Sequence, residues 1–242
     1  MKVYGINPVH EALAAGRVRE IRVAGRSDAR LRALLDRAAA AGVPVRTVSR
    51  AALDADAEGG LHQGVVAKVN LLASATIEDL ARPRAHGDLP LLVVLDGVED
   101  PQNVGAIIRT VDAAGGSGVI RQTRHAAPLS GAAAKASAGA VHHVPVADVV
   151  NIARAVEELK ARHVWTVGLD ADGQTPYYEL DLAVPIALVV GAEGRGLRRL
   201  VRERCDLVAA IPMAGHVSSL NVSAATAIVL FEAVRQRRRG RP

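Results

Sequence analysis

The sequence predicts an α/β protein in two parts, a C-terminal domain built on a parallel sheet and a small α/β domain before it, and three observations lead there. Beyond residue 90, six short apolar runs at about 91–95, 117–120, 143–146, 164–168, 186–190 and 207–211 alternate with helical patterns. Strands separated by helices pair in parallel, and a parallel sheet is covered on both faces, so its strands read as unbroken apolar runs. The first 70 residues carry an alternation of their own, sufficient for a compact module with a small core. Between the two, residues 71–89 lose strong periodicity and gain Pro83 and Gly87, which mark a linker. The expected division is therefore 1–70, a linker at 71–89, and 90–242.

In chain order, Asn7 and Pro8 open the first helix as N-cap and first helical residue, and Gly16 closes it. Residues 20–24 alternate as a strand. Residues 27–41 form a second helix with Leu31, Leu34, Leu35 and Ala38 on one stripe and Gly42 just past its end. Residues 43–48 and 64–69 supply two more strands. After the strand at 91–95 an acidic turn leads into a helix beginning near Pro101 and Asn103. Its buried stripe is Val104, Ile107, Ile108 and Val111, which leaves Arg109 on the polar side. The strand at 186–190 runs into a Gly-rich turn containing Glu193. The strand at 207–211 runs into a loop with Gly215, Ser218, Ser219 and Asn221, and a last helix follows. Ligands of open parallel sheets sit beyond the carboxyl ends of the strands, so these three polar, glycine-bearing ends point to one shared pocket.

Half of the 242 residues are apolar, enough for a substantial core. No stretch approaches the roughly 18–20 uninterrupted apolar residues that span a bilayer, and the N-terminus lacks the apolar segment of a signal peptide. The expectation is a soluble cytoplasmic protein with no membrane contact. Cys205 is the only cysteine, so no internal disulfide forms, and it reads as a small core residue. The eight histidines are scattered, and His142 and His143, if on a strand, point to opposite faces, so no metal site is expected. The net charge of +5 conceals an uneven distribution. Residues 1–70 hold 11 Lys/Arg against 7 Asp/Glu, residues 71–234 hold 14 against 18, and residues 235–242 hold five arginines and no acid. Basic ends suit a polyanion such as RNA, since each neutralised phosphate releases counterions; a solubilising tail is the alternative for the last eight residues. With only five aromatic side chains, base readout by stacking is sparse.

The blocks NxxxxxR at Asn103 and Arg109, GxExxG at 191–196 and IPMxGxxxSLNVS at 211–223, in this order, closely resemble the SpoU/TrmH family of RNA ribose 2′-O-methyltransferases, in the SPOUT superfamily. The resemblance covers about residues 91–236. It implies S-adenosyl-L-methionine as methyl donor and a deep trefoil knot, with the cofactor bent against the knotted backbone. It also implies a homodimer in which the last helix and the knot pack against the partner, so that both subunits shape the cleft. Two shorter segments, YGINPVHEAL near the start and LHQGVVAKV at 61–69, resemble the ribosomal-protein-like RNA-binding domain that precedes the catalytic domain in ribosomal RNA members. His62 and Gln63 are then candidates either for RNA contact or for a plain turn-and-cap role.

Carried over residue by residue, the cofactor contacts fall on Gly191, Ile211 and Leu220, largely through backbone groups, with Met213, Gly215 and Ser219 lining the same cleft. The catalytic set is Arg109, Asn103, Glu193, Ser219 and Asn221. The family often gives Arg109 the role of base, but a guanidinium with a pKa of about 12.5–13.8 stays protonated. Its charge suits holding a phosphate and stabilising the developing alkoxide. Asn103 and Asn221 can orient a ribose or fix Arg109; Asn103 and Ser219 can instead cap helices. Glu193 can pair with Arg109 or with an arginine of another subunit, or stand in a surface turn. The substrate implied is ribosomal RNA, most like the branch that modifies a guanosine of 23S rRNA. The alternatives are an adenosine of 23S rRNA, as in thiostrepton-resistance enzymes, transfer RNA, or a non-catalytic RNA-binding assembly factor.

Overall fold

The computed structural model describes residues 1–25, 28–70, 74–83, 88–124, 126, 128–129 and 131–239. Its first part runs β1 (Lys2–Tyr4), α1 (Ile6–Ala14), β2 (Val18–Val23), α2 (Ala29–Ala40), β3 (Val45–Thr47), α3 (Arg50–Asp56) and β4 (Val65–Val69). The four strands form one sheet in the order β1-β4-β2-β3, in which only β2 and β3 run parallel. Helices α1 and α2 cover one face, burying Val9, Leu13, Leu31 and Leu34 with Ile21 and Ala67. Leu53 of α3 packs on Val66 across the other face. Neither β1, three residues long, nor α3, seven, carries enough periods to be read from pattern.

The cap of α1 differs from expectation. Gly5, not Asn7, is the N-cap, at φ 91° and ψ 151°, a region open to glycine and closed to side chains. The first N–H of the helix, on Ile6, donates to Gln63 Oε1 at 3.0 Å, so the capping oxygen comes from a loop 57 residues away. Pro8 accordingly lies within the first turn rather than at its first position. The neighbouring His62 is buried; its Nδ1 accepts from the Gly64 N–H at 3.0 Å and its Nε2 faces Asp54 Oδ1 at 3.0 Å. Both side chains proposed for RNA contact thus serve the turn and the cap. Helix α2 starts at an Asp28 cap, and the expected start at Ser27 lies outside the described residues.

The second part runs α4 (Ile77–Ala81), β5 (Leu91–Asp96), α5 (Pro101–Ala113), β6 (Gly118–Gln122), α6 (Ala132–Ala136), β7 (Val146–Val149), α7 (Ile152–Ala161), β8 (Trp165–Leu169), β9 (Thr175–Pro176), β10 (Ile186–Gly191), α8 (Arg199–Arg204), β11 (Leu207–Ala210) and α9 (Val222–Arg239). Seven strands form one parallel sheet in the order β7-β6-β5-β10-β8-β11-β9. The alternation of side chains along β5 shows the layers: Leu91, Val93 and Leu95 join the core under α5 and α9, while Leu92 and Val94 join that under α4, α7 and α8. Helix α4 occupies part of the expected linker. A Thr76–Asp79 capping box starts it, and Ile77 and Leu80 anchor it in the second core. Residues 71–73 and 84–87 of that linker lie outside the described residues.

The strand expected at 143–146 begins instead at Val146, because Ala140–His142 wind into a 3-10 turn that packs on α1. His142 is buried in this contact between the two parts and His143 is exposed, so the two do diverge, though not on a strand. Burial, then His143 and Arg17, push the His142 imidazole down to about 4. Cys205 is half-buried, and burial followed by the Asp206 carboxylate pushes its thiol up to about 12, which agrees with a packing role. Among the described residues no helix is long and apolar enough to cross a membrane.

The arginine-rich end is helical as far as Arg239; residues 240–242 lie outside the described residues. Arg237 folds back onto the start of the sheet. Its guanidinium donates to the carbonyls of Leu89 (2.7 Å), Pro90 (2.8 Å), Leu182 (3.3 Å) and Val184 (2.6 Å), beside the first residues of β5 and β10. That arginine is structural, and the end of α9 therefore sits at the edge of the sheet opposite the strand ends that carry the glycine-rich loops.

Candidate active site

Each functional side chain is placed by a strand that ends at the same edge of the sheet. β5 ends at Asp96, and a short acidic turn carries the chain into α5, capped by Asp100, whose Oδ1 accepts from the Gln102 N–H at 3.0 Å. This removes the capping role considered for Asn103, which lies buried in the first turn of α5. β10, the next strand, ends at Gly191 and folds at once into a tight turn in which the Gly196 N–H donates to the Ala192 carbonyl at 2.9 Å. A Cβ on Gly191 would stand 2.0 Å from the Gly196 oxygen, so only glycine permits this closure. β11 ends at Ala210, and residues 211–221 lead back to α9.

The three motifs meet at Asn221. Its Nδ2 donates to Asn103 Oδ1 at 2.9 Å and to Glu193 Oε1 at 2.5 Å. Its Oδ1 accepts from the backbone N–H of Ser223 at 2.9 Å and from the Ser223 hydroxyl at 2.6 Å, capping α9. Both amide hydrogens and the amide oxygen are thus engaged, which fixes the orientation of the group. Ser219 does not cap this helix. Glu193 takes Asn221 as its partner and makes no ion pair with Arg109.

Two cavities adjoin this polar wall. The larger, about 420 Å³, opens at the ends of β10, β8 and β11 and is lined by Gly191, Ile211, Met213, Ser219, Leu220 and the 192–196 turn. The second, about 330 Å³, lies between the turn after β5 and the turn after β10, lined by Glu99, Asp100, Asn103, Glu193 and Arg195 among others. Ala192, Glu193, Arg195 and Val222 border both. The larger cavity combines apolar Ile211, Met213 and Leu220 with serine hydroxyls and the charged Asp170, Asp172, Glu193 and Arg195, and its size falls in the range of about 300–1,000 Å³ usual for cofactor sites.

Two sequence-predicted residues stand apart. Gly215 lines neither cavity, and nothing lies within 4 Å of the Cβ it lacks. Arg109 is exposed on α5, less than two turns beyond Asn103, about 9 Å along the axis, and lines neither cavity. Within one chain it is not assembled with the others.

One part of the site escaped the sequence reading. β8 lies between β10 and β11, so its end, Leu169 followed by Asp170, Ala171 and Asp172, forms the middle of the larger cavity. The available signal was an acidic strand end with a glycine at 173. A second omission is the clamp beneath the glycine turn. Asp96, almost fully buried, accepts from the Arg198 backbone N–H at 2.8 Å and from Nε at 2.6 Å, and Arg198 also donates to Gln122 Oε1 at 2.9 Å. Arg198 so ties the far end of the 192–197 turn to the ends of β5 and β6. Among the described residues no cluster of three or more His, Cys, Asp or Glu is placed to hold a metal.

Comparison with known proteins agrees with this architecture. Residues 90–231 match the model of the SpoU rRNA Methylase family, and residues 2–74 match that of the RNA 2′-O ribose methyltransferase substrate-binding domain. The chain is 45% identical over 240 residues to the 23S rRNA (guanosine-2′-O-)-methyltransferase RlmB of Haemophilus influenzae, covering 98% of each. It is 46% identical over 242 residues to the protein of that name from Pseudomonas aeruginosa, covering 98% of this chain and 96% of that one. Among solved structures, the SpoU methyltransferase AviRb of Streptomyces viridochromogenes with AdoMet superposes with a TM-score of 0.83 at 29% identity, over 99% of this chain and 91% of that one. The AdoMet-bound rRNA methyltransferase of Sinorhizobium meliloti gives 0.76 at 27% identity, over 97% and 86%. On its motifs, its sheet and these full-length matches, the chain belongs to the SpoU rRNA methylase family.

Proposed function

We propose that this protein transfers a methyl group from S-adenosylmethionine to the ribose 2′-hydroxyl of a guanosine in 23S rRNA, in the cytoplasm. The observation that carries the reading is the Asn221 amide, joined at once to Asn103, which lines the second cavity, and to Glu193, which lines both. Full-length relatives named for that reaction support the choice of RNA and of guanosine.

When bound, S-adenosylmethionine supplies a methyl group on a sulfonium, already an excellent leaving centre. The protein's task is then to place the sugar oxygen in line and to help it lose its proton. The backbone of Gly191, Ile211 and Leu220, with Met213 and Ser219 beside them, holds the donor in the larger cavity. The second cavity receives the acceptor nucleotide, where Asn103, Glu193 and Asn221 orient the ribose. Arg109 stabilises the developing alkoxide by charge.

Arg109 reaches the cleft from a second subunit. The protein works as a homodimer on this reading, and the last helix supports it. One stripe of α9 (Val222, Thr226, Val229, Leu230, Ala233) is buried, yet Ile228 and Phe231 on another face are exposed, as are Met213, Val217 and Leu220 in the preceding loop. A helix apolar on several faces is one that expects cover on all of them. Residues 1–70 form the RNA-binding domain and residues 90–242 the catalytic domain. A trefoil knot in the latter is favoured by the family and by the return of α9 onto α5 after β11.

Incubating the protein with labelled S-adenosylmethionine and 23S rRNA lacking the modification, then digesting to nucleosides, tests the proposal. Label in 2′-O-methylguanosine is expected. Label in another nucleoside, or RNA binding with no transfer, overturns it.

A further inference from the structure

We infer that Asp170 recognises the ribose of the methyl donor, its carboxylate accepting hydrogen bonds from the 2′- and 3′-hydroxyls of the adenosyl group. This rests on the methyl-donor reading of the larger cavity. Asp170 follows the last residue of β8, the strand between those that end at Gly191 and before Ile211. It therefore stands at the centre of the row of strand ends rather than at its rim. An acidic group at the end of the strand beside a glycine-rich turn is how parallel α/β sheets commonly read a ribose diol, because a carboxylate's two oxygens match two adjacent hydroxyl donors.

The surroundings hold this carboxylate in place. Arg202 Nη1 lies 3.2 Å from Asp170 Oδ2 and 3.7 Å from Asp172 Oδ2, one guanidinium shared between two carboxylates. A carboxylate that already accepts from one or two N–H donors keeps lone pairs for further O–H donors. Its position is fixed from the other side as well. The Leu197 N–H donates to Oδ2 at 3.4 Å, and a Cβ on Gly196 would lie 2.8 Å from that oxygen. The turn thus approaches Asp170 as closely as glycine allows, and both partners that hold the carboxylate bind Oδ2. Through Arg202, α8 braces this strand end as a unit.

Calorimetric titration of the full-length protein with S-adenosylhomocysteine and with its 2′-deoxy and 3′-deoxy analogues tests the inference. The wild-type chain is expected to bind each deoxy analogue on the order of tenfold more weakly, the loss anticipated for a hydrogen bond to a charged acceptor. Asp170→Ala is expected to bind all three alike. Asp170→Asn, which keeps shape and one acceptor oxygen, is expected to show reduced discrimination with its fold intact. A purely structural Asp170 would weaken all three ligands equally and leave their ratios unchanged, which overturns the inference; so does a wild-type chain indifferent to the hydroxyls. Failure of wild type to bind S-adenosylhomocysteine at all would instead overturn the methyl-donor reading itself.

Discussion

At the level of single residues, the cleft depends on one neutral amide with a donor end and an acceptor end. Asn221→Asp keeps the shape but turns the donor into a second carboxylate facing Glu193 and the Asn103 oxygen. Like charges at this distance repel, and the wall between the cavities should open. The transfer rate in single turnover is expected to fall at least a hundredfold, while cofactor affinity by titration stays within about threefold. Arg109→Ala should likewise preserve cofactor binding and abolish transfer; weakened cofactor binding with the transfer rate recovered at saturating donor would reverse the assigned roles. His142 gives a pH prediction. Its folded-state pKa of about 4 lies below the ordinary 6.5, so between these values the unfolded chain binds more protons than the folded one. Stability is therefore full above pH 6.5 and declines as pH falls toward 4, by up to about 3 kcal/mol. Denaturation curves of His142→Leu should lack that part of the slope. Residue identities were unevenly legible. Asn103, Glu193 and Asn221 stand in recognisable motifs, but that one amide joins them depends on a strand order that no local pattern records. Gln63 as the cap of α1 is invisible for the same reason, and Asp170 carried only the weak signal of an acid after a strand.

At the level of elements, the turn after β10 is the part of the site with most to lose. It borders both cavities and carries Glu193, yet its own hydrogen bonds are those of a single tight turn. Arg198 fixes its end to buried Asp96, so Arg198→Ala leaves a desolvated carboxylate without its cation. A loss of about 2 kcal/mol in unfolding free energy is expected, since the half-exposed guanidinium moderates the larger cost of breaking a fully buried pair. Urea denaturation checks this, and Arg198→Lys should recover part of the loss. Long elements with several periods, such as α2, α5 and the buried strands β5 and β10, were readable because apolar spacing repeats within them. The short ones were not: β1, α3, α4 and β9 hold two to seven residues and are fixed by neighbours rather than by pattern. The displaced β7 shows the same limit, since the residues before it are apolar both as a strand and as the 3-10 turn they form.

Across the whole molecule, the site and the basic ends lie apart. The cavities open at the carboxyl ends of the strands, whereas the end of α9 is held at their amino ends by Arg237. The N-terminal domain also spends part of its positive charge internally, with Lys2 and Arg22 paired to Asp56 and Lys68 to Glu20. Exposed Arg19, Arg30, Arg32 and Arg50 remain on its surface, where the proposed function would set them against RNA phosphates. Arg109 points to solvent in one chain, and the proposed dimer is what would bring it to a cleft. Phe231→Glu is expected to yield a monomer in sedimentation, with cofactor binding weakened and transfer lost. The account as a whole stands on the methyl donor occupying the cavity at the ends of β10, β8 and β11. Leu220 lines that cavity and is partly exposed, so Leu220→Glu can be made without disturbing the core. Titration of S-adenosylmethionine into the two chains is predicted to show a wild-type site weakened at least about tenfold in the variant, a change of some 1.4 kcal/mol; equal affinity in a folded Leu220→Glu protein would contradict the account.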